Sequence, residues 1–389
     1  MLRNHSWAAP LIVAVLALAP AGCDAEDEQA VTWSWDDVGL PPGFPTPRVP
    51  GDNPMSPDKV ELGRFLFYDV RLSGNLTQSC ASCHLQSNAF AEPRATSIGS
   101  TGESHPKNAM SLTNVAYNAT QTWANPLLVH LEQQALIPMF GEEPVELGLA
   151  GLEGELVARI AADERYPDLF SRAFPEERGR IGVDTIVKAI AAFQRTLISA
   201  DSAYDRFWYR KDPSALSADA IAGFDLFFSE RLECFHCHGD FNFQGSSAHS
   251  NTTFDEVVFH NNGLYNINND GSYPPGNEGL FDITGKPADR GRFKAPTLRN
   301  IIYTAPYMHD GSLGTLDEVI DMYMAGGRVI TNGPNAGDGR NHPQKSEFVR
   351  GFTLTDAERR HLKAFLESLG DATFVTNPRL SDPFVVPGD

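Results

Sequence analysis

The sequence predicts a mostly α-helical protein of two similar domains in tandem, joined by long irregular loops. Two observations predict the repeat: a C-x-x-C-H motif occurs twice, and each copy follows a short predicted helix and precedes an amphipathic one. A third observation is the number of turn-forming residues, 33 Gly and 27 Pro in 389 residues, which predicts extensive loops. The chain is long enough for each domain to bury a core of its own.

The composition excludes nucleic acid as a partner. The chain has 31 Lys and Arg against 50 Asp and Glu, which gives a formal net charge of −19 at pH 7. Binding to a phosphate backbone requires a basic face instead. Hydrophobic residues at 41% and charged residues at 21% are typical of a folded chain rather than a disordered one.

The N-terminal apolar run predicts a signal peptide at residues 1–22. Arg3 precedes an apolar stretch at 8–21, which is too short to span a bilayer as a helix. The small residues before Cys23 are typical of a lipoprotein cleavage site, although Pro20 stands where Leu is usual. The alternative is ordinary secretory cleavage nearby. Both interpretations export the protein to the periplasm, and the first adds a lipid anchor at Cys23.

The four remaining cysteines form the two C-x-x-C-H motifs. These are Cys80-Ala81-Ser82-Cys83-His84 and Cys234-Phe235-His236-Cys237-His238. In this pattern two thioethers hold a porphyrin covalently, and the following His binds its iron. A four-Cys zinc site or two redox disulfides are the alternatives, but neither requires a His after both pairs. The sequence therefore predicts two covalent haem c groups, with His84 and His238 as the proximal iron ligands.

Each motif lies in a repeated layout of helix, motif, loops and helix. Ser56 and Ser217 precede the first helix of the two copies as N-caps, and Pro57 suits the first helical position. Amphipathic helices predicted over 183–198 and 354–369 close the two copies. Their apolar faces consist of Ile186, Ile190, Phe193 and Leu197, and of Leu362, Phe365, Leu366 and Leu369. The layout is that of two small cytochrome c domains.

The predicted boundaries follow from this repeat. They are a signal peptide at 1–22, an N-terminal arm at 23–54, an N-terminal cytochrome c domain at 55–205, a C-terminal cytochrome c domain at 206–372 and a C-terminal tail at 373–389. The arm is rich in Pro, which predicts an extended segment. The stretch 239–292 is rich in Asn, Gly and Ser, which predicts a long loop beside the second haem.

Several further stretches resemble the bacterial di-haem cytochrome c peroxidase and MauG superfamily. They are Leu-Phe-Tyr-Asp-Val-Arg-Leu-Ser at 66–73, Ala-Pro-Thr-Leu-Arg-Asn at 295–300 and Ala-Pro-Tyr-Met-His-Asp-Gly at 305–311. The resemblance runs from about residue 56 to residue 369. Within the superfamily the chain is most similar to the MbnH-like branch, through the stretches 123–126, 135–144 and 323–327.

The resemblance implies that the haem of the N-terminal domain, at His84, binds peroxide. The distal acid of the family lies in a P-x-E-[ML]-G pattern, which Pro144 to Gly148 matches, so Glu146 is implied to move the proton of bound peroxide. Gln134 matches the distal Gln of the family. The alternatives are a solvated acid at a helix start for Glu146 and a surface amide for Gln134.

Two departures from the peroxidases concern the iron ligands. In many of those enzymes a His after the Ser-Ile-Gly run blocks the peroxide haem until reduction, whereas Ser100 stands at that place here. His105, five residues on, is a candidate substitute, although a His in a loop more often faces solvent. We therefore expect an open iron that reacts with peroxide without prior reduction.

The second departure is Tyr323. Peroxidases place a Met fourteen positions after the His of the H-D-G motif, and from His309 that position is Tyr323. The resemblance to MauG-like members implies Tyr323 as the axial ligand of the second haem, where a phenolate stabilises high oxidation states. Alternatively Tyr323 packs in the core and Met322 or Met324 binds iron. Adjacent helical residues point about 100° apart, so one of the three faces the haem.

Trp123 matches the Trp that lies between the two haems of the family and relays oxidising equivalents; a core residue at a domain interface is the alternative. Leu232 replaces the surface Trp that MauG has two residues before its second haem motif. The exit route to a protein substrate must therefore differ. The other candidates are Trp33, Trp35 and Trp208.

A calcium ion is the third implied cofactor. Asn108, Thr304 and Pro306 match the calcium site of the family, in which one side chain and two backbone carbonyls supply oxygen ligands. The same residues are also of the kind that caps turns.

The predicted function is that of a di-haem c enzyme. It uses hydrogen peroxide to form a high-valent two-haem state, which oxidises a side chain of a small exported, MbnP-like partner protein, with Trp converted to kynurenine. The first alternative is a cytochrome c peroxidase that reduces hydrogen peroxide with electrons from a small c-type cytochrome. The second is an electron-transfer cytochrome without catalysis. Tyr323 argues against the first alternative and Glu146 against the second.

Overall fold

A computed structural model describes residues 33–385, so the predicted signal peptide at 1–22 and Cys23 lie outside the described residues. The regular structure is mostly helical, as predicted, and long irregular segments connect the helices. Within the described range, one small antiparallel sheet pairs Val329–Ile330 with Gly337–Asp338. No helix among these residues is long and apolar enough to cross a membrane.

The N-terminal half contains five helices around one core. They are α1 Pro57–Tyr68, α2 Leu131–Phe140, α3 Glu153–Ala161, α4 Arg165–Ala173 and α5 Val183–Arg195. Ser56 caps α1 as predicted, because its hydroxyl accepts the Lys59 N–H at 3.2 Å. Helix α1 packs across α5, and the predicted apolar face of α5, including Ile186 and Phe193, is fully buried there.

The C-terminal half repeats the arrangement around a second core. Its helices are α6 Ala203–Trp208, α7 Ala218–Phe227, α8 Phe235–His238, α9 Phe281–Thr284, α10 Leu316–Ala325, α11 Asp356–Ser368 and α12 Ala372–Thr376. Helix α7 packs across α11 as α1 packs across α5. The predicted apolar face of α11 is buried in this core together with Phe227. The repeated layout seen in the sequence thus appears as two equivalent helix pairs.

A glycine lies at the crossing point of each helix pair. A Cβ atom on Gly63 would lie 1.9 Å from the carbonyl oxygen of Ala189, and one on Gly223 would lie 1.9 Å from that of His361. The backbones therefore approach too closely for any side chain at either position. This contact explains why both copies of the repeat place Gly before their Phe-containing apolar run.

The two terminal segments pack on the body of the protein. In the predicted arm, Phe44 is buried and contacts Tyr117 and Phe241 edge to face. In the predicted C-terminal tail, Phe374 and Leu380 join the core of the N-terminal half. Both segments therefore bury apolar side chains against the rest of the protein.

A buried ion pair holds the long loop that follows the second haem motif. Arg299 and Asp205 are both fully buried and meet at 2.7 Å. The same guanidinium donates to the carbonyl of Phe241 at 2.8 Å. Phe241 follows His238 by three residues. Such a pair stabilises only when its polar atoms are satisfied, as they are here. The loop is consequently anchored where it must support the haem ligand.

Candidate haem sites

The two C-x-x-C-H motifs adopt the same local turn. The N–H of His84 donates to the carbonyl of Cys80 at 3.0 Å, and the N–H of His238 donates to that of Cys234 at 3.1 Å. This i to i+4 turn brings both cysteines and the His of a motif to one side of the backbone. Each motif thus presents two thiols and one imidazole together.

The two imidazoles are oriented by equivalent hydrogen bonds. The Nδ1 of His84 donates to the carbonyl of Phe90 at 2.8 Å, and the Nδ1 of His238 donates to that of Phe243 at 2.7 Å. Burial lowers the pKa of both rings, so both are neutral at pH 7. With its proton held on Nδ1, each ring keeps the Nε2 lone pair for a metal. The donor set fits haem iron at both positions.

The four motif cysteines form no disulfide among the described residues. Burial raises the pKa of Cys80 and Cys234 to about 12 and that of Cys83 and Cys237 to about 11. Among residues 33–385, the side-chain cluster that could hold an ion through three ligands contains none of them. The described part of the chain therefore gives no support to either the disulfide or the zinc alternative.

A large cavity opens beside the second motif. It measures about 1340 Å³ including its mouth, and Cys234, Cys237 and His238 line it together with mostly apolar side chains. His309 also lines it, and its buried Nε2 finds no hydrogen-bond partner among the described residues. A haem fits this cavity, since it would bury apolar ring surface and bring carboxylates that could satisfy such a nitrogen.

Tyr323 lies in the wall of this cavity, whereas the two neighbouring methionines do not. Met322 is buried in an adjacent core, and Met324 packs in the core of the C-terminal half, with its sulfur 3.8 Å from a nitrogen of Arg359. The structure thus separates Tyr323 from its two sequence neighbours, as the 100° rotation between helical residues requires.

Met308 is a cavity residue that the sequence reasoning missed. It lines the same wall as Tyr323, and its sulfur accepts a hydrogen bond from the Asn262 amide at 3.5 Å. The signal was present in the sequence, because Met308 directly precedes the His of the H-D-G motif. Its positive φ of 73° directs the chain through a tight turn at this point.

Trp123 lies at the wall of two cavities. It lines the cavity of the second haem and a neighbouring one of about 520 Å³ including its mouth. Its indole Nε1 donates to the carbonyl of Asn108 at 2.9 Å. The ring is therefore held between the second haem cavity and the segment that carries Asn108.

The three predicted calcium residues lie together. Asn108, Thr304 and Pro306 all line the 520 Å³ cavity. The Asn108 amide nitrogen donates to the carbonyls of Arg94 and Ala95, at 2.9 and 3.2 Å, which leaves its Oδ1 available as a ligand. A hard cation binds to such carbonyl oxygens, so the residues fit calcium.

Glu146 lies in a half-buried region with Ser100 and His105. Burial raises its pKa to about 7. The Ser100 N–H donates to the Glu146 carbonyl at 2.7 Å, and the His105 Nε2 lies 3.7 Å from a Glu146 carboxylate oxygen. His105 therefore faces Glu146 rather than open solvent.

Gln134 lies half-buried on α2. The C-terminal end of this helix is hydrogen-bonded to the segment that carries Glu146. The N–H of Leu147 donates to the carbonyl of Pro138 at 2.9 Å, and that of Leu149 donates to the carbonyl of Met139 at 2.9 Å. The Glu146 segment is thus bound to α2 one turn after Gln134.

Of the other tryptophans, Trp208 has 46% of its surface exposed and lies parallel to the buried Tyr204 ring at 6.2 Å. Trp33 and Trp35 contact each other edge to face at 5.4 Å. Leu232 is buried in the second core.

The chain resembles several known proteins over most of its length. The profile of the family described as di-haem cytochrome c peroxidase matches residues 57–214. Cytochrome-c peroxidase IdrP1 of Denitromonas iodatirespirans is 34% identical, over 96% of each chain. The methylamine utilization protein MauG of Methylorubrum extorquens is 33% identical, over 87% of this chain and 85% of that one.

A solved structure is more similar still. The crystal structure of a MauG-like protein associated with microbial copper homeostasis shares 50% of its residues with this chain. The alignment covers 91% of this chain and all of that one, with a TM-score of 0.88.

The fold, the two motifs and these similarities define a haem-dependent oxidoreductase that works with two haems. The chain belongs to the di-haem cytochrome c peroxidase family. MauG is a further relative of this chain. The resemblance predicted from the sequence is confirmed, and the alternative of an electron-transfer cytochrome without catalysis is wrong. The assignment to the MbnH-like branch stays a prediction.

Proposed function

We propose that this enzyme uses hydrogen peroxide to oxidise a Trp side chain of a small exported, MbnP-like partner protein to kynurenine, in the periplasm. The observation that carries the proposal is Tyr323 in the cavity of the second haem, where a peroxidase has Met. The similarity to the MauG-like protein at 50% identity also supports oxidation of a protein substrate.

His84 and His238 would hold the two haems. When bound, the haems supply the electrons that peroxide takes up and keep the resulting oxidising power. Tyr323 would offer its phenolate oxygen to the second iron, which favours high oxidation states over the ferrous state. A site of this kind stores oxidising power for a protein substrate better than it accepts electrons from a cytochrome.

Glu146 would move the proton of peroxide at the first haem. Its carboxylate takes the proton from one peroxide oxygen and returns it to the other, so that the O–O bond breaks with water as the leaving group. A pKa of about 7 suits both transfers, because the group gains and loses a proton at nearly equal cost. Gln134 would orient the peroxide from α2.

Trp123 would connect the two haems. The hydrogen bond from its indole to Asn108 ties the ring to the proposed calcium site. Calcium at Asn108, Thr304 and Pro306 would therefore fix the position of the relay as well as the loops around it.

The second candidate function is a cytochrome c peroxidase that receives electrons from a small c-type cytochrome. Two observations favour it: the similarity to IdrP1, and the thioether of Met308 in the wall of the second haem cavity. A Met ligand raises the haem potential and suits electron uptake.

One variant of Tyr323 and one control variant test between these functions. Tyr323→Phe removes the phenol oxygen and keeps the ring, and Tyr209→Phe is the matched control outside the cavity. We expect Tyr323→Phe to keep both haems and to consume peroxide, yet to lose oxidation of an MbnP-like protein, measured by mass spectrometry of its Trp peptides. Undiminished Trp oxidation with an unchanged haem spectrum would contradict the proposal and leave Met308 as the ligand.

A further inference from the structure

The loop over residues 97–105 folds back on itself. Within it Ile98 pairs antiparallel with Ser104. The N–H of His105 then donates to the carbonyl of Ser97 at 2.8 Å. The hairpin thereby brings His105 back to the start of the loop.

Backbone contacts fasten this loop to the segment that carries Glu146. The Glu103 carboxylate accepts the Val145 N–H at 3.0 Å, in addition to the bond from Ser100 to the Glu146 carbonyl. A Cβ atom on Gly99 would lie 1.8 Å from the carbonyl oxygen of Val145, so the two backbones touch. The relative position of the two segments is therefore set by two main-chain contacts and by the Glu103 carboxylate.

The His105 and Glu146 side chains face each other across this contact. Nε2 lies 3.7 Å from Oε1, with 26% of the His side chain and 32% of the Glu side chain exposed. This distance is longer than a hydrogen bond, but catalytic hydrogen bonds are often long without substrate and tighten when substrate binds. The pair is therefore positioned to interact during the reaction.

The orientation of the His105 ring places its Nε2 on the side of Glu146. The Lys107 N–H lies 3.1 Å from Nδ1 of His105, and this contact favours the neutral ring that carries its proton on Nε2. Nδ1 is 3.3 Å from the Lys107 carbonyl as well, and this longer contact suits the protonated ring. Burial, with the positive charge of Lys107, lowers the pKa of His105, which favours the neutral ring.

Few other charges act on this pair. The ammonium of Lys107 lies 3.9 Å from Asp282 and donates to a backbone carbonyl, so its charge is partly compensated. The Glu103 carboxylate is engaged by the Val145 N–H. On the side of the first motif, Cys80 and Cys83 would carry the haem as thioethers, which have no charge.

We propose that His105 is the positioning residue for Glu146 in the reaction with peroxide. Its Nε2–H donates to one carboxylate oxygen, which favours the ionised form and leaves the other oxygen for peroxide. The proposal rests on the proposed function, in which Glu146 acts as the base. It assigns His105 a role as donor to Glu146, in place of the blocking role that a His in this region has in other family members.

The proton count is unchanged by His105. Glu146 would take one proton from peroxide and return it to the other oxygen, which leaves as water, and the two electrons would come from the haems when these are bound. His105 neither gains nor loses a proton. It acts through the pKa of the Glu146 carboxyl, because a donor to the charged form lowers that pKa.

The test is the pH profile of the reaction with hydrogen peroxide, measured by stopped flow for holoenzyme variants. His105→Leu removes the donor, and His105→Gln keeps an N–H donor. We expect the midpoint of the rate profile to rise by about one unit in His105→Leu, which at pH 7 corresponds to a rate about fivefold lower. His105→Gln should stay within about twofold of wild type, and all three rates should converge above pH 9.

A second readout does not depend on turnover. The infrared C=O band of protonated Glu146, identified by its loss in Glu146→Gln, should titrate with the same shifted midpoint in His105→Leu. His361→Leu, which removes a His facing Asp219 on the other half of the molecule, is the matched control and should leave both midpoints in place.

An unmoved infrared midpoint in His105→Leu would overturn the proposal, as would a uniform loss of rate at all pH values or equal behaviour of the Leu and Gln variants. Failure of the proposed function gives a different result. In that case Glu146→Gln would react with peroxide as fast as wild type, whereas the infrared midpoint would still report whether His105 acts on Glu146.

Discussion

At the scale of single residues, the imidazoles of His84 and His238 are oriented by equivalent hydrogen bonds from Nδ1 to a backbone carbonyl. The motif spacing predicts both residues as iron ligands, because covalent haem attachment is a local pattern. It could not predict that His105 faces Glu146, because this contact depends on how two loops distant in sequence pack. Met308 was missed for a different reason, because its local signal, the position directly before the His of the H-D-G motif, was not used.

The clearest prediction at this scale concerns Glu146. Glu146→Gln should slow the reaction with peroxide by about 10²-fold, because an amide cannot accept the proton. In wild type the rate should rise with pH and have its midpoint near 7, since the pKa is raised to about 7 and the carboxylate is the form that acts as base. Stopped-flow spectroscopy from pH 5 to pH 9 measures both effects.

The control is Glu142→Gln, a neighbouring exposed carboxylate. It should leave rate and midpoint unchanged. A Glu146→Gln variant with the wild-type rate would show that Glu146 is a solvated acid.

At the scale of elements, hydrophobic periodicity predicted the helices, because amphipathic faces leave a local signature. The faces of 183–198 and 354–369 became the buried faces of α5 and α11. The long stretch 239–292 was correctly expected to be irregular, but its attachment through the buried Arg299 could not be inferred. That attachment requires Asp205, which is distant in sequence.

The helix crossings give the second prediction. Gly63→Ala and Gly223→Ala should each lower the free energy of unfolding by about 1–3 kcal/mol or more, because the new Cβ would collide with a backbone carbonyl that cannot move away. Thermal unfolding of the holoenzyme, followed by circular dichroism, measures the loss.

Gly154 on α3 is the matched control. It is exposed, and a Cβ there would meet nothing within 4 Å. Gly154→Ala should stabilise by about 0.5–1 kcal/mol through helix propensity. Equal effects at all three positions would refute the crossing argument.

The buried ion pair gives the third prediction. Arg299→Leu should destabilise by about 3–5 kcal/mol, since it leaves the Asp205 carboxylate buried without its partner. The double variant Arg299→Leu with Asp205→Leu should recover part of that loss. Chemical denaturation of the wild type, the two single variants and the double variant measures the coupling, and simple additivity would contradict it.

At the scale of the whole molecule, Trp123 connects the cavity of the second motif with the proposed calcium site. It borders that cavity and donates to the carbonyl of Asn108, which lines the calcium cavity. The sequence suggested these roles only through family resemblance, because the cavity that Trp123 borders is otherwise lined by residues of the other half of the chain.

Calcium removal gives the prediction at this scale. After treatment with a chelator, the first haem should still react with peroxide, but the spectral change at the second haem should be lost, because Trp123 is no longer fixed. Added calcium should restore it. If both haems still respond to peroxide after calcium removal has been verified, the position of Trp123 does not depend on calcium.

The central claim is that this enzyme stores the oxidising power of peroxide on two haems without prior reduction. The most direct measurement is a stopped-flow spectrum of the fully oxidised protein mixed with one equivalent of hydrogen peroxide. We expect a rapid change at both haems, because Ser100 would leave the first iron open and Tyr323 would support oxidation of the second. A reaction that occurs only after one haem has been reduced would contradict it and identify a conventional cytochrome c peroxidase.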